Sequence, residues 1–547
     1  MARTVADQLW EMLANAGVRR CYGIVGDALN PVTDALRRSG RVEFTHVRHE
    51  EYGAFAAAAE AQLTGRPVAV CGAAGPGAAH LVNGLIDAKH ESAPVIAIAG
   101  DVTRATMDTD ALQELNPYHF FQPASLYTAR VVAASQARAV FQTAVTTALL
   151  EHGPVVISLP SDVARAAAKP GWAETHAPRV DPAPPRPHEQ DLAAMAEIIN
   201  SANAVTVFAG YGVKGAAAEV AAFADLVQAP VVFTLRGKQF VEGTTRNAVG
   251  MTGLLGWGGA PGALHQADLV VLLGCDFPYT DYLPDAVPAI QVDKSPAHIG
   301  RRMPVSLGVV GDVGGTLRGL LPRLRVKTDG AHLARHLAET ERWRSRLRGC
   351  AAASAGRTPI RPEHLAAVIS ELAAEDAIFT VDTGTPCLWA ARHIQGTGKR
   401  RIIGSLSWSS MASAAPYGFG AALAEPDRQV IALCGDGGFT MLGLGDLITQ
   451  VRYGARVVNV VFNNQQLDFV NIEQREAGYP LFGADLPNPD LAGVATALGA
   501  HGIRVTDPAA VRGAVRDALA FQDGPVVLDV VVGVASDRTH GAVLSPM

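Results

Sequence analysis

Asp436 lies between glycines in the stretch CGDGG, where a short apolar run, IAL, ends and a helix is predicted to begin. Asn464 follows 28 residues later, at the end of another β-rich run, in VVFNNQQLDF. The carboxyl ends of neighbouring parallel strands share one edge of a sheet, where ligands bind. Carboxylate, amide and carbonyl oxygens suit Mg²⁺, which takes its remaining ligands from phosphates and water. The pattern therefore predicts a metal that holds a diphosphate.

The glycines around Asp436 support this hypothesis, because they let the backbone approach a diphosphate. The helix that follows directs its N-terminal N–H groups at the same point. Gly, Asp and Asn also dominate ordinary turns, so either segment alone favours a strand–helix turn or a cap. The two together, each after a predicted strand, favour the site.

A second candidate is Glu50, in the segment HVRHEEYGAFAAAAEAQLTG. Taken alone, His49-Glu50-Glu51 is typical of a charged first helical turn that the helix dipole stabilises. On such a helix Glu50 and Glu51 face different ways. The residues themselves leave a structural and a catalytic role open.

Length and composition limit the class of protein. The chain has 547 residues, 48% of them hydrophobic and 18% charged, which predicts a globular protein of two to four domains. A net charge of −6 argues against nucleic acid as a partner. Six scattered cysteines without CxxC spacing favour a reducing compartment. With no signal peptide and no apolar run of about 20 residues, we expect a cytoplasmic protein.

The elements that must position these residues alternate along the chain. Short β-rich runs such as PVAVCG, DLVVLLG and RVVNVVFNN alternate with amphipathic stretches. Runs that are apolar on both faces predict buried parallel strands, so the fold class is α/β with three doubly wound parallel-sheet domains. Linkers are predicted at 164–190 and 325–361, the second containing a charged helix. The domains predicted are 1–180, 190–325 and 355–547, and the first and third could share a fold.

GDG followed by NN resembles the thiamine-diphosphate fingerprint. The RHEEYGAFAAAAEAQLTG segment looks like the one that supplies the catalytic glutamate in the pyruvate oxidase and acetolactate synthase family. Further matched stretches are GPGAAHLVNGL, LRGK, GMTGLLG, DFPY, GTPCLWAAR and GKRRIIGS, and they look most like the bacterial quinone-dependent pyruvate oxidases. The resemblance implies a pyrimidine domain, a central FAD-binding domain and a diphosphate domain.

The resemblance also assigns roles. It implies that Asp436, Asn464 and the backbone carbonyl of Gln466 bind Mg²⁺. It implies that Glu50 drives the cofactor's aminopyrimidine to the imino base that forms the ylid. The ylid attacks a 2-keto acid, most simply pyruvate, and the enamine forms as CO₂ leaves.

Other positions match family residues around the cofactor. Met411 matches the apolar residue that bends it, Gln113 an active-site glutamine, and Phe469 an aromatic beside the reacting carbon. Alone, the Met and the Phe would be typical core residues. The remaining predicted contacts of the thiamine cofactor are Gly384, Thr385, Ser407, Gly437 and Gly438.

The middle domain contains GYGVKG after a predicted strand, formally a GxGxxG pattern. The acidic residue expected about 20 residues further on is absent, so we reject a nicotinamide site. The resemblance implies FAD instead, and the alternative is a noncatalytic spacer domain or a structural flavin. The predicted flavin contacts are Gly210, Arg236, Gly237, Lys238, Met251, Thr252, Gly253, Gly274, Asp276, Phe277, Asp293 and Asp312.

Three features depart from the quinone-dependent pattern. The C-terminal stretch VASDRTHGAVLSPM lacks amphipathic periodicity, which argues against membrane binding and a quinone acceptor. Trp408 and Ser409 stand in SLSWSSM, where those oxidases have Asn-His-Gly before the Ser-Met pair. Asp468 places a carboxylate where they have glycine, and could change substrate choice.

The function predicted is oxidative decarboxylation of a small 2-keto acid by a dimer or tetramer, with active sites formed between subunits. The alternative is a nonoxidative decarboxylase or an acetolactate synthase-type carboligase with structural FAD. A noncatalytic regulatory subunit is a third class, which intact Glu50, Asp436 and Asn464 argue against.

Overall fold

The computed structural model describes residues 3–168 and 183–535. The first predicted linker and the C-terminal segment at 534–547 both extend outside these ranges. Within them, no helix is long and apolar enough to cross a membrane.

The first sheet has six parallel strands in the order β2-β1-β3-β4-β6-β5. These are β1 Arg20–Gly23, β2 Glu43–His46, β3 Val68–Gly72, β4 Val95–Asp101, β5 Tyr127–Arg130 and β6 Val155–Pro160. The accompanying helices are Val5–Asn15, Asn30–Ser39, Glu50–Thr64, Pro76–Ala79, Val82–His90, Pro117–Phe121, Ala134–Glu151 and Ser161–Arg165.

The middle sheet has seven strands in the order β10-β9-β8-β7-β11-β12-β13. These are β7 Val205–Ala209, β8 Val231–Phe233, β9 Ala248–Met251, β10 Trp257–Gly258, β11 Leu269–Leu273, β12 Ala289–Asp293 and β13 Leu307–Val310. Only the edge pair β9–β10 is antiparallel among these described strands. Its helices are Glu189–Ser201, Ala217–Leu226, Leu235–Val241, Ala260–His265, Val313–Leu320 and Ala331–Ala353.

The third sheet has six parallel strands in the order β15-β14-β16-β17-β19-β18. These are β14 Ile378–Val381, β15 Arg401–Gly404, β16 Val430–Gly435, β17 Val457–Asn463, β18 His501–Val505 and β19 Val526–Val531. Its helices are Pro362–Leu372, Thr385–His393, Ala414–Ala424, Asp436–Gly438, Leu444–Arg452, Asp468–Glu476, Leu491–Ala497 and Val511–Ala520, with a π-helical turn at Phe439–Gly443.

The predicted fold class of three parallel α/β sheets is confirmed. The first and third sheets also have the same strand order. They pack together through helices Glu50–Thr64 and Ala414–Ala424, whose side chains share one core with both sheets. The chain before Glu50 also docks on the third domain, because Asp446 accepts the Arg48 N–H at 2.7 Å.

The charged helix Ala331–Ala353 differs from the linker predicted for it. It packs on the antiparallel edge of the middle sheet with His336 and Thr340 fully buried. The Thr340 hydroxyl donates to the Val249 carbonyl and accepts the Gly259 N–H, both at 3.0 Å. The helix is thus part of the middle domain, held by polar groups that the apolar pattern does not reveal.

The three domains meet at a buried polar cluster. Arg236 Nε of the middle domain lies 3.0 Å from Glu91 Oε2 of the first, and Glu91 Oε1 accepts the Ser407 N–H of the third at 2.7 Å. The Tyr417 hydroxyl donates to Asp87 Oδ2 at 2.6 Å. Burial, with added repulsion from Glu91, raises the pKa of Asp87 from 3.8 to about 7.

This raised pKa makes the junction sensitive to pH. Between pH 3.8 and about 7 the folded protein holds a proton on Asp87 that the unfolded chain releases. The contribution of Asp87 to the free energy of unfolding therefore falls as pH rises through this range, by up to about 1.4 kcal/mol per pH unit. We expect Asp87→Asn to remove that contribution, which urea unfolding at fixed protein concentration from pH 5 to 8 measures. An unchanged slope would contradict the assignment.

Candidate active site

The third sheet changes winding direction between β14 and β16, because the chain proceeds from β14 to β15 on one side and from β16 to β17 on the other. Ligands of open α/β sheets bind at such a switch point. Helix Thr385–His393 begins just after β14, and its N-cap Gly384 has φ +120°, which favours glycine. Asp436 begins the helix after β16. Gly384, Thr385 and Asp436 therefore line one crevice.

Asp436 is 2% exposed and hydrogen-bonded on both oxygens. Its Oδ1 accepts the Gly437 N–H at 2.9 Å, and its Oδ2 accepts from the Gln465 N–H at 2.6 Å and from Asn488 Nδ2 at 2.9 Å. Burial raises the pKa of Asp436 to about 6, and repulsion from Asp468 adds to the rise. The hydrogen bonds thus fix the carboxylate in position, while burial and the repulsion from Asp468 destabilise its negative charge.

Asn464 reaches the same edge because β16 and β17 pair in parallel, with Gly435 opposite Phe462. Its Oδ1 accepts the Gln466 N–H at 3.1 Å, and its Nδ2 donates to Asp468 Oδ2 at 3.2 Å. The structure therefore places Asp436, Asn464 and Gln466 at one edge of the sheet, and their binding of Mg²⁺ stays a prediction.

These residues fit a hard divalent cation and a diphosphate. The converging donors are oxygens, and among the described residues no ion pair neutralises Asp436. The backbone at the two glycines is too closely packed for a side chain. A Cβ on Gly438 would lie 2.1 Å from Asp382 Oδ2, and one on Gly437 would lie 3.3 Å from Met411 Cε. Met411 accordingly stands against the Asp436 turn.

Asp382, directly after β14, is a site residue that the sequence reasoning missed. It is buried, and its carboxylate accepts the N–H groups of Ala414 at 2.9 Å and Gly435 at 3.3 Å. Burial raises its pKa to about 7. Asp382 ties the chain after Met411 to the start of the Asp436 helix, and its one sequence signal is its position after the run AIFTV.

Glu50 begins helix Glu50–Thr64 in the first domain and is 6% exposed. Its Oε2 lies 2.9 Å from His80 Nδ1, and a Cβ on Gly77 would lie 2.9 Å from its Oε1. His80 stacks on His49 at a centroid distance of 4.4 Å. The Glu50 carboxylate thus faces a shallow group of polar side chains.

Gln113 lies beside this group. It has φ +64°, and a Cβ on Gly75 would lie 2.9 Å from its Cβ. Gly75 is the N-cap of helix Pro76–Ala79, and this helix contains Gly77, which lies against the Glu50 carboxylate. Gln113 is exposed, as is its neighbour Leu112.

Glu51 faces a different partner from Glu50, as expected for neighbours on a helix. Its Oε1 accepts from Asn83 Nδ2 at 2.7 Å, and Asn83 Oδ1 accepts from Trp408 Nε1 at 2.8 Å. Trp408 stacks on His90 at 5.2 Å, and Ser409 has φ +63°. Trp408 and Ser409, the residues that differ from the quinone-dependent oxidases, precede Met411. The contacts of Trp408 attach this segment to the first domain.

Within the described part of one chain, no hydrogen bond joins the Glu50 group to the Asp436 group. Phe469 lies on the Asp436 side, half-buried against the third core. Ser407 points instead to the domain junction, where its Oγ accepts from Arg236 Nη1 at 3.1 Å. The two groups therefore share no hydrogen bond among the described residues of one chain.

The middle sheet has its own switch point, between β7 and β11. Gly210 and Gly274 follow these strands, and a Cβ on Gly274 would lie 2.4 Å from Gly212 Cα. Asp293 ends β12, and Asp312 caps helix Val313–Leu320 by accepting the Gly315 N–H at 3.0 Å. A crevice at this point suits a dinucleotide.

The other predicted flavin residues differ in whether their polar groups already have partners within the protein. Lys238 is 1% exposed, and its ammonium donates to Glu242 Oε2 at 2.5 Å and to the Ala391 carbonyl at 3.2 Å. Asp276 pairs with Arg302 Nε at 2.7 Å. Thr252 Oγ1 is buried with no hydrogen-bond partner among the described residues, which fits a group that a bound ligand would satisfy.

Three further predicted residues surround Thr252. Met251 ends β9, Gly253 has φ +86°, and a Cβ on Gly253 would lie 2.5 Å from Phe277 Cζ. Gly237 packs at the start of helix Leu235–Val241, where Thr234 accepts its N–H at 3.0 Å. The whole set lies at or just after the carboxyl ends of β7, β8, β9, β11, β12 and β13, a placement that suits a dinucleotide.

Comparison with known families matches all three domains of the chain. The chain matches "Thiamine pyrophosphate enzyme, N-terminal TPP binding domain" over residues 3–120. It matches the central domain of the same enzymes over residues 192–320 and their C-terminal TPP binding domain over residues 382–530. The chain belongs to the thiamine pyrophosphate enzyme family.

Individual relatives extend over most of the chain. The Bacillus subtilis (strain 168) protein described as "Putative thiamine pyrophosphate-containing protein YdaP" is 37% identical over 97% of this chain and 92% of its own. A pyruvate oxidase of Lactiplantibacillus plantarum is 30% identical over 94% of this chain and 86% of its own. An acetolactate synthase of Mycobacterium avium is 30% identical over 97% and 87%.

Proposed function

We propose that this protein catalyses oxidative decarboxylation of a 2-keto acid, with pyruvate as the first substrate to test, using thiamine diphosphate, Mg²⁺ and FAD. The observation that carries the proposal is the pairing of two crevices in one chain. One gathers the oxygens of Asp436 and Asn464, and the other places glycines at the switch point of the middle sheet. A flavin bound in the second crevice would give the reaction an electron acceptor.

Bound thiamine diphosphate supplies the electron sink for loss of CO₂. Asp436 and Asn464 would hold the cation that neutralises the diphosphate. Glu50 would hold and move a proton at its carboxyl group, which faces His80 and the Gly77 turn. The two electrons that remain after CO₂ leaves would pass to FAD, and transfer of the acetyl group to water or to inorganic phosphate would give acetate or acetyl phosphate.

We further propose that the active site forms in a dimer, itself free to pair into a tetramer. Each chain holds a Glu50 half-site and an Asp436 half-site with no shared hydrogen bond. Exposed apolar side chains flank both: Leu112 is 91% exposed beside Gln113, and Met441 is 63% exposed in the π-helical turn that follows the Asp436 helix. A two-fold interface would bury these residues and set Glu50 of one protomer against Asp436 of its partner.

The absorbance spectrum of the purified protein tests the oxidative proposal. We expect an oxidised-flavin band at about 450 nm that bleaches when pyruvate is added anaerobically with thiamine diphosphate and Mg²⁺. Omission of thiamine diphosphate is the control, and the band should then persist. Bound flavin that stays oxidised while CO₂ is released would overturn the oxidative proposal.

A nonoxidative carboligase is the second candidate, favoured by the acetolactate synthase relative that covers 97% of the chain. In that case the flavin would be structural and pyruvate would give acetolactate. Acetolactate formation without flavin bleaching separates this candidate from the first.

A further inference from the structure

Asp468 is the first residue of helix Asp468–Glu476 and is 3% exposed. It lies four residues after Asn464, and its Oδ2 accepts from Asn464 Nδ2 at 3.2 Å. The same oxygen accepts the N–H of Ala535, 67 residues away, at 2.5 Å. Asp468 thus contacts the proposed Mg²⁺ ligand on one side and the chain that follows β19 on the other.

The chemistry of this contact fixes which way the Asn464 amide points. An ionised carboxylate only accepts hydrogen bonds, so it selects the NH₂ end of the amide. Asn464 Oδ1 is then turned away from Asp468 and accepts the N–H of Gln466, whose carbonyl is the third proposed ligand. A glycine at 468 would offer no acceptor, and the amide could rotate. Partners of this kind orient metal ligands in other proteins.

The contact with Ala535 has a structural consequence. Residues 532–535 leave the end of β19, which pairs with β17 up to Asn463 opposite Val531. Asp468 Oδ2 therefore joins two segments that leave neighbouring strands, one of which carries Asn464. A cation that draws on Asn464 Oδ1 makes the Nδ2 a stronger donor to the same carboxylate.

We propose that Asp468 is a positioning residue that orients Asn464 toward Mg²⁺ and couples cation binding to the docking of residues 532–535. This inference rests on the proposed thiamine diphosphate and Mg²⁺ site. It assigns Asp468 to the metal ligand rather than to the substrate choice expected from the sequence.

A titration with Mn²⁺ in the presence of thiamine diphosphate, followed by electron paramagnetic resonance, tests the orientation. We expect Asp468→Asn to weaken Mn²⁺ binding about tenfold or more. Asp446→Asn is the matched control, because Asp446 is also a buried aspartate of this domain, 1% exposed, but bonds to the Arg48 N–H and Thr449. It should stay within about twofold of wild type.

An exchange of the two side chains distinguishes orientation from simple loss of stability. Asn464→Asp alone places two carboxylates face to face and should weaken Mn²⁺ binding about 100-fold. The double variant Asn464→Asp/Asp468→Asn restores a donor opposite an acceptor at this pair, although the new Nδ2 then faces the Ala535 N–H. Mn²⁺ binding should therefore recover about tenfold relative to Asn464→Asp alone. Absence of recovery would overturn the orientation.

Hydrogen–deuterium exchange of the peptide that spans 530–535 tests the coupling. Mn²⁺ with thiamine diphosphate should slow exchange there about tenfold or more in wild type and have little effect in Asp468→Asn. Equal Mn²⁺ affinity in wild type and Asp468→Asn would overturn this inference alone. A wild-type protein that binds no Mn²⁺ with thiamine diphosphate would overturn the proposed function as well.

Discussion

Glu50→Gln should lower kcat by about 10²- to 10⁴-fold, the range of a lost general acid–base group. Gln has the shape of Glu and can keep the 2.9 Å contact with His80, but it cannot release or accept the proton. We expect thiamine diphosphate and Mg²⁺ to bind within a few-fold of wild type. Steady-state turnover, together with the rate of deuterium exchange at the thiazolium carbon of the bound cofactor, measures the effect.

Glu51→Gln is the matched control for this prediction. Glu51 is the next residue in the same helical turn, and it hydrogen-bonds Asn83 rather than His80. Its substitution should change turnover only a few-fold. Unchanged turnover and an unchanged rate of deuterium exchange in Glu50→Gln would show that Glu50 takes no part in the chemistry. That result would favour the noncatalytic regulatory subunit.

Asp436→Asn should weaken Mg²⁺-dependent binding of thiamine diphosphate by about 100-fold or more and abolish measurable turnover at low cofactor concentration. The substitution removes a carboxylate at the crevice that no ion pair among the described residues neutralises. It also places an NH₂ group either against the donors from Gln465 and Asn488 or, with the amide flipped, against the Gly437 N–H. Calorimetric titration of the apoprotein with the cofactor, with and without Mg²⁺, measures the loss.

The Asp446→Asn protein again serves as the comparison, because it loses a buried carboxylate of the same domain. It should bind the cofactor as wild type does. If Asp436→Asn bound the cofactor with unchanged affinity and unchanged Mg²⁺ dependence, the metal would have to lie elsewhere. Restored binding at millimolar Mg²⁺ would still agree with Asp436 as a ligand.

The strand-end logic explains why much of the site was predictable. Asp436 and Asn464 each follow an apolar run, and parallel pairing of β16 with β17 then brings them to one edge. Gly210 and Gly274 also follow strand ends, but the family resemblance and not this logic singled them out as flavin contacts. Local pattern was sufficient for Asp436 and Asn464, because strand ends in a parallel sheet are neighbours by construction.

Contacts between distant segments were not predictable from local pattern. Asn488 lies 52 residues from Asp436 and Ala535 lies 67 from Asp468, and nothing in their sequence surroundings marks them. The buried face of helix Ala331–Ala353 includes His336 and Thr340, so its apolar periodicity is weak. The antiparallel strand β10 has two residues, too few for a pattern.

Family resemblance supplied the residue roles that neither the sequence pattern nor the structure indicates by itself. Glu50 alone is a plausible helix-dipole residue, and its burial beside His80 shows only that it is held in place. Arg236 and Lys238 match flavin-binding segments, yet in this structure they also bind Glu91 and Glu242. Their part in flavin binding stays a prediction.

Release of CO₂ from 2-keto acids radiolabelled at the carboxyl carbon tests the central claim most directly. Wild-type protein should release label from pyruvate or a close analogue only when thiamine diphosphate and Mg²⁺ are both present. Chelation of the metal should stop the release, and added Mg²⁺ should restore it. Release that ignores both cofactors, or no release from any 2-keto acid by protein shown to bind them, would contradict the account.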